Sequence, residues 1–488
     1  MNFYSIQLEV ILIILSLSTL LASVFIPSLS PRKTGLTLAA CVAVLFVYSF
    51  SLKPLSHPGL FNGLFMLDSY SLFFKRVLLG SLSLLMVLSS EFVNKFDSGK
   101  NEFYALILLA SAGMLVMCSS NDFILLFVAL ELVTICFYIL TSFSRNQRSS
   151  LEAGIKYLIL GALSSGLLIY GISYIYGSTG TTKFFQLIEQ IQLGNPGYSY
   201  QFGIILVFLS FLFKVAAFPM LFWAPDVYQG SPTPVTAFLA TGSKIAGFAV
   251  LMRLFLTGLI PPYLLILVLI ITGLTLLYGN LGALKQTSFK RLLGYSSIGH
   301  AGYLFLGISS WSAQGVSAIL FYLAQYAITS LALFLALTVY ESSTNTDSID
   351  SLKGLHKRSP LLALVFLAGL ASLAGLPPFS GFFAKFQLFL SIMQPSAYIT
   401  GNPPAFIIFF SLAILAGITV VISLYFYFTI VKTMYMEDPD THSISLPPLS
   451  LSSKATLILC FSLIFLIGVF QNPLVEASRN AIMPFLGH

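Results

Sequence analysis

Apolar runs of about 20 residues alternate with short polar connections along the chain, and a helix needs this length to cross a bilayer. We predict about 14 spans in the 488 residues, near 6–27, 34–52, 70–93, 102–119, 122–143, 153–176, 202–221, 234–255, 261–281, 292–309, 313–340, 361–391, 405–432 and 456–471. The runs are too continuously apolar for the alternating strands of an outer-membrane barrel. The pattern therefore predicts an all-α, polytopic membrane protein without a separate soluble domain.

Proline interrupts two of the predicted spans at matching places. Pro219 follows Lys214 in the seventh span, and Pro377 lies within GLPP in the twelfth. Proline lacks an amide donor and clashes with the preceding turn, so a helix breaks there. A bilayer tolerates such a break where protein or a wet cavity surrounds it. The two prolines are 158 residues apart and the fourth and ninth spans start about 159 apart, which predicts two inverted five-helix repeats, each with a discontinuous helix.

This offset divides the chain into four segments. We expect a three-helix segment, a first repeat, a second repeat, and a C-terminal helix with a tail, at residues 1–100, 101–256, 257–434 and 435–488. Lys214 precedes the proline of its repeat, whereas Lys385 follows the proline of the other repeat. The charged positions of the two repeats are therefore expected to be only loosely equivalent.

Basic residues are distributed unevenly between the two sets of connections. Connections after odd-numbered spans carry 14 of the 24 Lys and Arg residues, and those after even-numbered spans carry four. The positive-inside rule places the richer side in the cytoplasm or its organellar equivalent. Both termini are then expected on the outer, periplasmic side of a bacterial inner membrane. The net charge of +7 reflects this bias, whereas nucleic-acid binding requires clustered charge on a soluble face.

A few charged residues occupy mid-span positions, where insertion of a charge costs roughly 2.5–3.5 kcal/mol. Lys214, Lys244 and Lys385 each lie inside an apolar run, and Glu131 lies within DFILLFVALELVTICFYIL. The chain is only 8% charged, against roughly 25% in a soluble domain, so these positions stand out. Lysine in general loses its proton more readily when it is desolvated. The pattern therefore favours a proton path over structural ion pairing.

The sequence contains no recognisable redox or nucleotide motif. Its four cysteines are scattered singly, whereas iron–sulfur ligation requires closely grouped cysteines. A GxGxxG element after a strand and a P-loop are both missing from the sequence, and the five histidines are dispersed. We expect no cofactor and no metal on this chain.

Three long motifs resemble a known family. The motifs FKVAAFPMLFWAPDVYQGSPTPVTAFLATGSKIAGFAVLMR, KQTSFKRLLGYSSIGHAGYLFLGI and LAGLASLAGLPPFSGFFAKFQLF are similar to helices seven and eight, ten, and twelve of the N-subunit family of respiratory complex I. This family is the bacterial counterpart of mitochondrial NADH dehydrogenase subunit two. It belongs to the antiporter-like proteins, together with the L and M subunits and the multisubunit sodium/proton antiporters. The similarity covers essentially the whole chain.

The resemblance implies a proton-translocating membrane-arm subunit of an NADH–quinone oxidoreductase, a translocase to which this chain contributes no redox chemistry. It implies a proton path through Glu131, Lys214, Lys244 and Lys385, with Lys156 between them. FMN and iron–sulfur clusters are then expected in partner subunits, and the quinone is reduced elsewhere in the complex. The expected partners are neighbouring antiporter-like and small membrane subunits and the lipid bilayer.

Several candidate residues also have a structural interpretation. Lys156 can reach the surface and pair with Glu152 at i,i+4 spacing. His300 is either a proton relay, because imidazole titrates near pH 7, or a hydrogen-bonded core residue. Glu9 is expected at the outer interface. Where the family commonly has a histidine after the helix-seven proline, this chain has apolar residues at 220–222, so a local route through water or Tyr228 is expected.

Two other transport functions share this sequence pattern. A multisubunit cation/proton antiporter would use the same lysines, although the few acidic residues in the spans argue against a dedicated sodium site. A photosynthetic ferredoxin–plastoquinone oxidoreductase would contain a nearly identical membrane subunit, because its electron donor binds elsewhere. A non-transporting structural subunit is a third alternative, and the mid-span lysines argue against it.

Overall fold

The computed structural model describes residues 3–26, 29–55, 62–194, 197–394, 403–439 and 448–485. The first half of this described part contains α1 (Gln7–Phe25), α2 (Pro31–Tyr48), α3 (Ser69–Phe92), α4 (Lys100–Ser119), α5 (Phe123–Thr141), α6 (Arg148–Thr179), α7 (Phe184–Leu193), α8 (Gly197–Val215), α9 (Trp223–Gly230), α10 (Thr233–Phe238) and α11 (Lys244–Leu256). The second half contains α12 (Leu265–Ala283), α13 (Phe289–Ser309), α14 (Ala313–Thr344), α15 (Leu355–Arg358), α16 (Pro360–Ala374), α17 (Ser380–Met393), α18 (Pro403–Met436), α19 (Leu451–Val469) and α20 (Asn472–Ile482).

The predicted spans are present as helices. Among the described residues, 12 helices are long and apolar enough to cross a membrane. The two remaining predicted spans are the 21-residue helix α13 and the twelfth span, which is divided into the short apolar helices α16 and α17. The all-α, polytopic architecture is therefore confirmed. The amphipathic helix α20 after the last span was not predicted.

Hydrogen bonds between distant connections show how the helix ends are arranged. Asn146, between α5 and α6, donates to Asp97, between α3 and α4, at 2.6 Å. At the other end of the bundle, Thr182, which follows α6, donates to Asp122, which caps α5, at 2.6 Å. The connections after the third and fifth spans therefore lie together. We call the end that carries them the basic face, because the connections after odd-numbered spans hold most of the Lys and Arg residues.

Both proline-containing spans are discontinuous. The helix α8 ends at Val215 and α9 begins at Trp223, so Pro219 lies in a non-helical gap. The gap between α16 and α17 contains Pro377 and begins at Gly375, whose φ of 87° suits glycine. The seventh and twelfth spans are thus broken at the two places that proline predicts.

The eighth span contains an irregularity that its apolar pattern does not predict. A π-helical turn, Leu239–Ser243, joins α10 to α11 and ends directly before Lys244. Such turns occur frequently at functional sites, because they insert a residue into the helical ladder and redirect the side chains that follow. The mid-span lysine of this helix therefore emerges at an altered angle.

The expected interfacial position of Glu9 is wrong. Glu9 is only 3% exposed, and its carboxylate lies 2.7 Å from the ammonium group of Lys75 on α3. The Lys75 ammonium group also lies over the ring of Phe65, 4.7 Å from its centroid. Because Lys75 supplies an opposite charge inside the bundle, Glu9 can be buried instead of facing the interface.

Glycine allows α12 and α13 to pack backbone to backbone. A Cβ atom placed on Gly279 would lie 2.3 Å from the backbone nitrogen of Gly299, which is far inside van der Waals contact. By contrast, a Cβ atom on Gly166 in α6 would have no neighbour within 4 Å.

We therefore expect Gly279→Ala to destabilise the chain, because the new methyl group meets backbone that cannot move aside. Overpacking of this kind costs about 1–3 kcal/mol. Gly166→Ala is the matched control, and it should keep or raise the stability because alanine favours a helix by about 1 kcal/mol over glycine. The measurement is the thermal midpoint of the detergent-solubilised chain by size-exclusion chromatography. An unchanged midpoint for Gly279→Ala would contradict the close approach.

Candidate functional site

The candidate residues for proton transfer lie on five different helices. Glu131 lies on α5, Lys214 on α8, Lys244 on α11, His300 on α13 and Lys385 on α17. The three lysines and the histidine are buried, and Glu131 is partly exposed. Each buried group has lost most of its hydration, so its stability depends on the protein atoms that contact it.

The first pair of contacts joins α5 to α6 and α8. The hydroxyl of Ser165 on α6 donates to the Glu131 carboxylate. One turn further along α5, Thr134 accepts a hydrogen bond of 2.7 Å from the Lys214 ammonium group. Lys214 therefore reaches the helix that carries Glu131 through a neutral hydroxyl.

A glycine brings the helices of Lys214 and Lys244 together. Gly247 lies three residues after Lys244 on α11, and a Cβ atom there would lie 2.9 Å from the Val215 side chain and 3.6 Å from the Lys214 Cβ atom. Only glycine permits this approach without displacing α8. The two lysines thus lie on neighbouring helices within one turn of the crossing point.

Lys244 is held by α13 and α14. Its ammonium group donates to the carbonyl of Ser297 and, at 2.5 Å, to the hydroxyl of the same residue. It also lies 5.3 Å from the centroid of the Tyr326 ring, a favourable position for a cation. The hydroxyl of Tyr228 lies 3.3 Å from the Ser297 hydroxyl. Tyr228 is therefore one hydroxyl away from Lys244.

His300 has a hydrogen-bond partner at each ring nitrogen. Its Nδ1 lies 2.5 Å from the hydroxyl of Tyr322, and its Nε2 lies 3.2 Å from the hydroxyl of Tyr427. Tyr427 also contacts the hydroxyl of Ser296, the neighbour of the serine that binds Lys244. The imidazole is therefore part of a buried polar chain along α13.

Lys385 reaches back across the break in its own span. Its ammonium group donates to the carbonyl of Ala374, the last residue of α16, at 3.0 Å. It also lies 4.7 Å from the centroid of the Tyr303 ring, and Tyr303 follows His300 by one turn of α13. The structure thus brings Lys244, His300 and Lys385 to the same stretch of α13.

Lys156 lies apart from this row. It is 41% exposed and forms ion pairs of 2.7 Å with Glu152 and with Asp226. Asp226 also pairs with Arg291 at 2.9 Å. Lys156 and Ser165 share α6 but are nine residues apart, or about 13 Å along the helix. The predicted i,i+4 pairing of Lys156 with Glu152 is therefore present, as part of a surface network at the basic face.

The sequence analysis missed most of the tyrosines that line the row. Tyr322, Tyr326 and Tyr427 are each buried and lie within apolar runs, where they look like packing residues. The available signal was the hydroxyl itself, because a buried tyrosine usually needs a hydrogen-bond partner. Among the described residues, no group of three or more His, Cys, Asp and Glu side chains is arranged to hold a metal ion.

Comparisons with known proteins identify the relatives of this chain. A family model described as NADH:quinone oxidoreductase/Mrp antiporter, TM matches residues 120–411. NADH-quinone oxidoreductase subunit N of Moorella thermoacetica is 35% identical over 488 residues, which cover 99% of each chain.

Solved structures give the same result for the fold. A chain of respiratory complex I from Thermus thermophilus is 30% identical with a TM-score of 0.77, over 97% of this chain and 100% of that one. A chain of the Mrp complex from Dietzia sp. DQ12-45-1b has a TM-score of 0.80 at 22% identity, over 99% of this chain and 97% of that one. At this lower identity the second likeness supports the fold alone.

We expect Tyr427→Phe to destabilise the chain by about 1–3 kcal/mol, because His300 and Ser296 lose a buried hydrogen-bond partner. The measurement is again the thermal midpoint in detergent. Tyr425→Phe is the matched control, since Tyr425 lies on the same helix and is 67% exposed. Equal midpoints for the two variants would show that the tyrosine–histidine contacts contribute nothing to stability.

Proposed function

The chain belongs to the NADH-quinone oxidoreductase subunit N family, and from this membership we infer that it is a proton-translocating subunit of the membrane arm of respiratory complex I. This conclusion rests on the 35% identity to subunit N of Moorella thermoacetica, which extends over 99% of both chains. The likeness to the Mrp chain, at 22% identity, supports a common fold and does not favour the antiporter alternative. The enzyme is a translocase in which this chain works together with other membrane-arm subunits.

We propose that protons pass along the row of Glu131, Lys214, Lys244, His300 and Lys385. The contacts that support this route are hydroxyl groups and aromatic rings, which link one charged helix to the next. A hydroxyl can accept one proton while donating another, so Ser165, Thr134 and Ser297 suit a relay. Lys156, which lies apart from this row, is proposed to act as a surface ion pair.

The row can move protons because its charges influence one another. A lysine that approaches an opposite charge binds its proton more tightly, and one that moves away binds it less tightly. Glu131 and Lys214 are separated by one turn and one hydroxyl, so a small shift of α5 against α8 changes this interaction. Because the groups titrate as a coupled set, a charge displaced at one end favours proton release at the other.

We propose that the driving electron transfer takes place in partner subunits. The scattered cysteines of this chain do not fit an iron–sulfur cluster, and its described part offers no grouped metal ligands. FMN and iron–sulfur clusters would then belong to other subunits, and the quinone would be reduced outside this chain. No step of the proton path runs through a cofactor here.

We propose that residues 101–256 and 257–434 form the two inverted repeats, flanked by the segments 1–100 and 435–488. Each proposed repeat contains one discontinuous span; the first supplies Lys214 and Lys244 to the row, and the second supplies Lys385. We further propose that the basic face lies in the cytoplasm and both termini outside, as the positive-inside rule indicates.

Labelling of single cysteines tests this orientation. In a chain whose exposed Cys41 is replaced by Ser, Gln147→Cys at the basic face should react only with reagent supplied from the cytoplasm. Glu189→Cys at the opposite face should react only from outside. Both positions are exposed, so labelling depends on the side of the membrane from which the reagent is supplied. The reverse pattern would overturn the orientation.

Arginine substitutions test proton exchange at Lys214 and Lys244. Arginine keeps the positive charge but stays protonated at accessible pH. Lys214→Arg and Lys244→Arg should therefore lower the number of protons pumped per NADH in vesicles that carry the assembled complex. The corresponding Met variants should pump no more protons per NADH than the Arg variants, because they lose the positive charge as well.

Two controls keep this experiment interpretable. NADH oxidation by an artificial acceptor should survive in all variants, because that reaction does not cross this subunit, so a pumping defect cannot then be attributed to a loss of NADH oxidation. Lys357→Arg changes an exposed lysine at the basic face and should pump normally. Pumping at the wild-type stoichiometry by both Lys214→Arg and Lys244→Arg would place the proton path elsewhere.

A further inference from the structure

A second polar group lies at the basic face, at the ends of the helices that surround Lys244. Glu341, near the end of α14, accepts a hydrogen bond from Thr233 at the start of α10, and its carboxylate lies 3.7 Å from the ammonium group of Lys290 on α13. Lys95, which follows α3, donates to the Glu341 backbone carbonyl at 2.7 Å. The Glu341 side chain is 16% exposed, so it touches solvent at this face while facing the bundle interior.

The three helices that hold Glu341 are the helices that hold Lys244. Thr233 and Lys244 belong to one membrane span, Thr233–Leu256, and are 11 residues apart, or about 16 Å along a helix. Lys290 and Ser297 both lie on α13, about 10 Å or two turns apart. A carboxylate at the surface and an ammonium group at mid-depth are thus joined by the same helices.

Buried hydroxyls lie on the α14 face between these two ends. Thr338 is one turn below Glu341, Ser330 is two turns further, and Tyr326, whose ring lies against Lys244, is one turn beyond Ser330. These three residues are all buried. Their spacing of three, eight and four residues keeps them on one side of α14, and the buried apolar residues Phe334 and Leu337 lie on this side between Thr338 and Ser330.

Two of the hydroxyls in this region are unpartnered. The side-chain oxygens of Thr338 and Ser231 are buried and have no hydrogen-bond partner within the part of the chain that the structure describes. Ser231 lies beside Glu341, because its carbonyl accepts a hydrogen bond from Lys290 at 3.3 Å. A buried hydroxyl without a protein partner usually binds ordered water. Both hydroxyls therefore mark positions near Glu341 where a water molecule can bind.

We propose that Glu341 collects protons at the cytoplasmic face and delivers them to Lys244 along this hydroxyl-lined side of α14. The carboxylate takes one proton from bulk water and releases it, through the hydroxyls of Thr233, Thr338 and Ser330, to the neutral Lys244 amine. Glu341 returns to its charged form and Lys244 becomes an ammonium ion, so charge and protons balance. This inference rests on the proposed function and orientation and adds the entry route to them.

The test uses inverted membrane vesicles, in which the cytoplasmic face of the assembled complex meets the bath. Glu341→Gln should lower protons pumped per NADH to the level of Lys244→Arg, with a loss that grows as the bath pH rises. Glu341→Asp should retain most of the pumping. Formic acid added to the bath should partly restore Glu341→Gln, because a small acid can deliver the missing proton. If Glu341→Gln impaired pumping only by altering the packing, the loss would not depend on the bath pH, and formic acid would not restore pumping.

Thr338→Val separates proton delivery from structure. It replaces an unpartnered hydroxyl with a methyl group of similar shape, so stability should be unchanged or higher while pumping falls. Glu91→Gln is the matched carboxylate control. Glu91 has a similarly covered side chain, but it binds Arg32, Ser450 and Ser452 away from Lys244, and its variant should pump normally.

The outcomes distinguish this inference from the proposed function. If Lys244→Arg and Lys214→Arg both pump at the wild-type stoichiometry, the row itself is wrong and the entry route falls with it; if Lys244→Arg alone does so, only the route to Lys244 is wrong. If Lys244→Arg is impaired while Glu341→Gln pumps normally at every bath pH, only the entry route is wrong. The same conclusion holds if Glu341→Asp is as impaired as Glu341→Gln and neither formic acid nor Thr338→Val has an effect. If Glu341→Gln does not assemble, Glu341→Asp and Thr338→Val decide the question.

Discussion

The structure depends on one electrostatic constraint, which is that a lysine inside a bilayer must be solvated by the protein. In the described part of the chain, the ammonium groups of Lys214, Lys244 and Lys385 are held by a threonine hydroxyl, a serine, and a backbone carbonyl. The irregular features of the fold supply these partners. The break after α16 frees a carbonyl for Lys385, the π-helical turn aims Lys244 at α13, and Gly247 lets α8 approach α11.

The kind of partner separates the lysines proposed for transport from the structural cations. Lys75 and Arg253 are also buried, but each is paired with a carboxylate, Glu9 and Asp68 respectively. An ion pair of this kind holds its cation in the charged state, because loss of the cation's proton would leave the buried carboxylate without an opposite charge. A hydroxyl or a carbonyl stabilises the ammonium group without fixing its charge so firmly. Neutral partners are therefore what a proton-exchanging lysine requires, and carboxylate partners suit a clamp between helices.

The helical spans and both breaks could be predicted because they depend on local chemistry. A run of 20 apolar residues has few alternatives to a membrane helix, and Pro219 and Pro377 break a helix wherever they lie. The three mid-span lysines were likewise visible as charges in apolar runs. Lys75 also lies within an apolar run. Its role in a buried ion pair was not recognised, because its partner Glu9 lies on a helix far away in sequence.

The side-chain network could not be predicted, since it depends on which helices meet. The sequence gives no sign that Tyr427 lies beside His300, because these residues are 127 positions apart. The π-helical turn before Lys244 leaves no clear mark in the hydrophobic pattern. Lys156 was ambiguous in the sequence because its i,i+4 spacing to Glu152 fits both a surface pair and a relay, and its pairing with Asp226 depends on the packing of α6 against α9.

The unequal positions of Lys214 and Lys385 have a mechanical consequence. Lys214 precedes its break and reaches sideways to Thr134 on α5, so its environment changes when α5 and α8 separate. Lys385 follows its break and reaches back to Ala374, so its environment changes when α17 moves against α16. Lys214 and Lys385 therefore respond to different motions. Lys244, His300 and Lys385 share contacts along α13, so a motion of α17 against α16 can alter the charge environment of the other two groups.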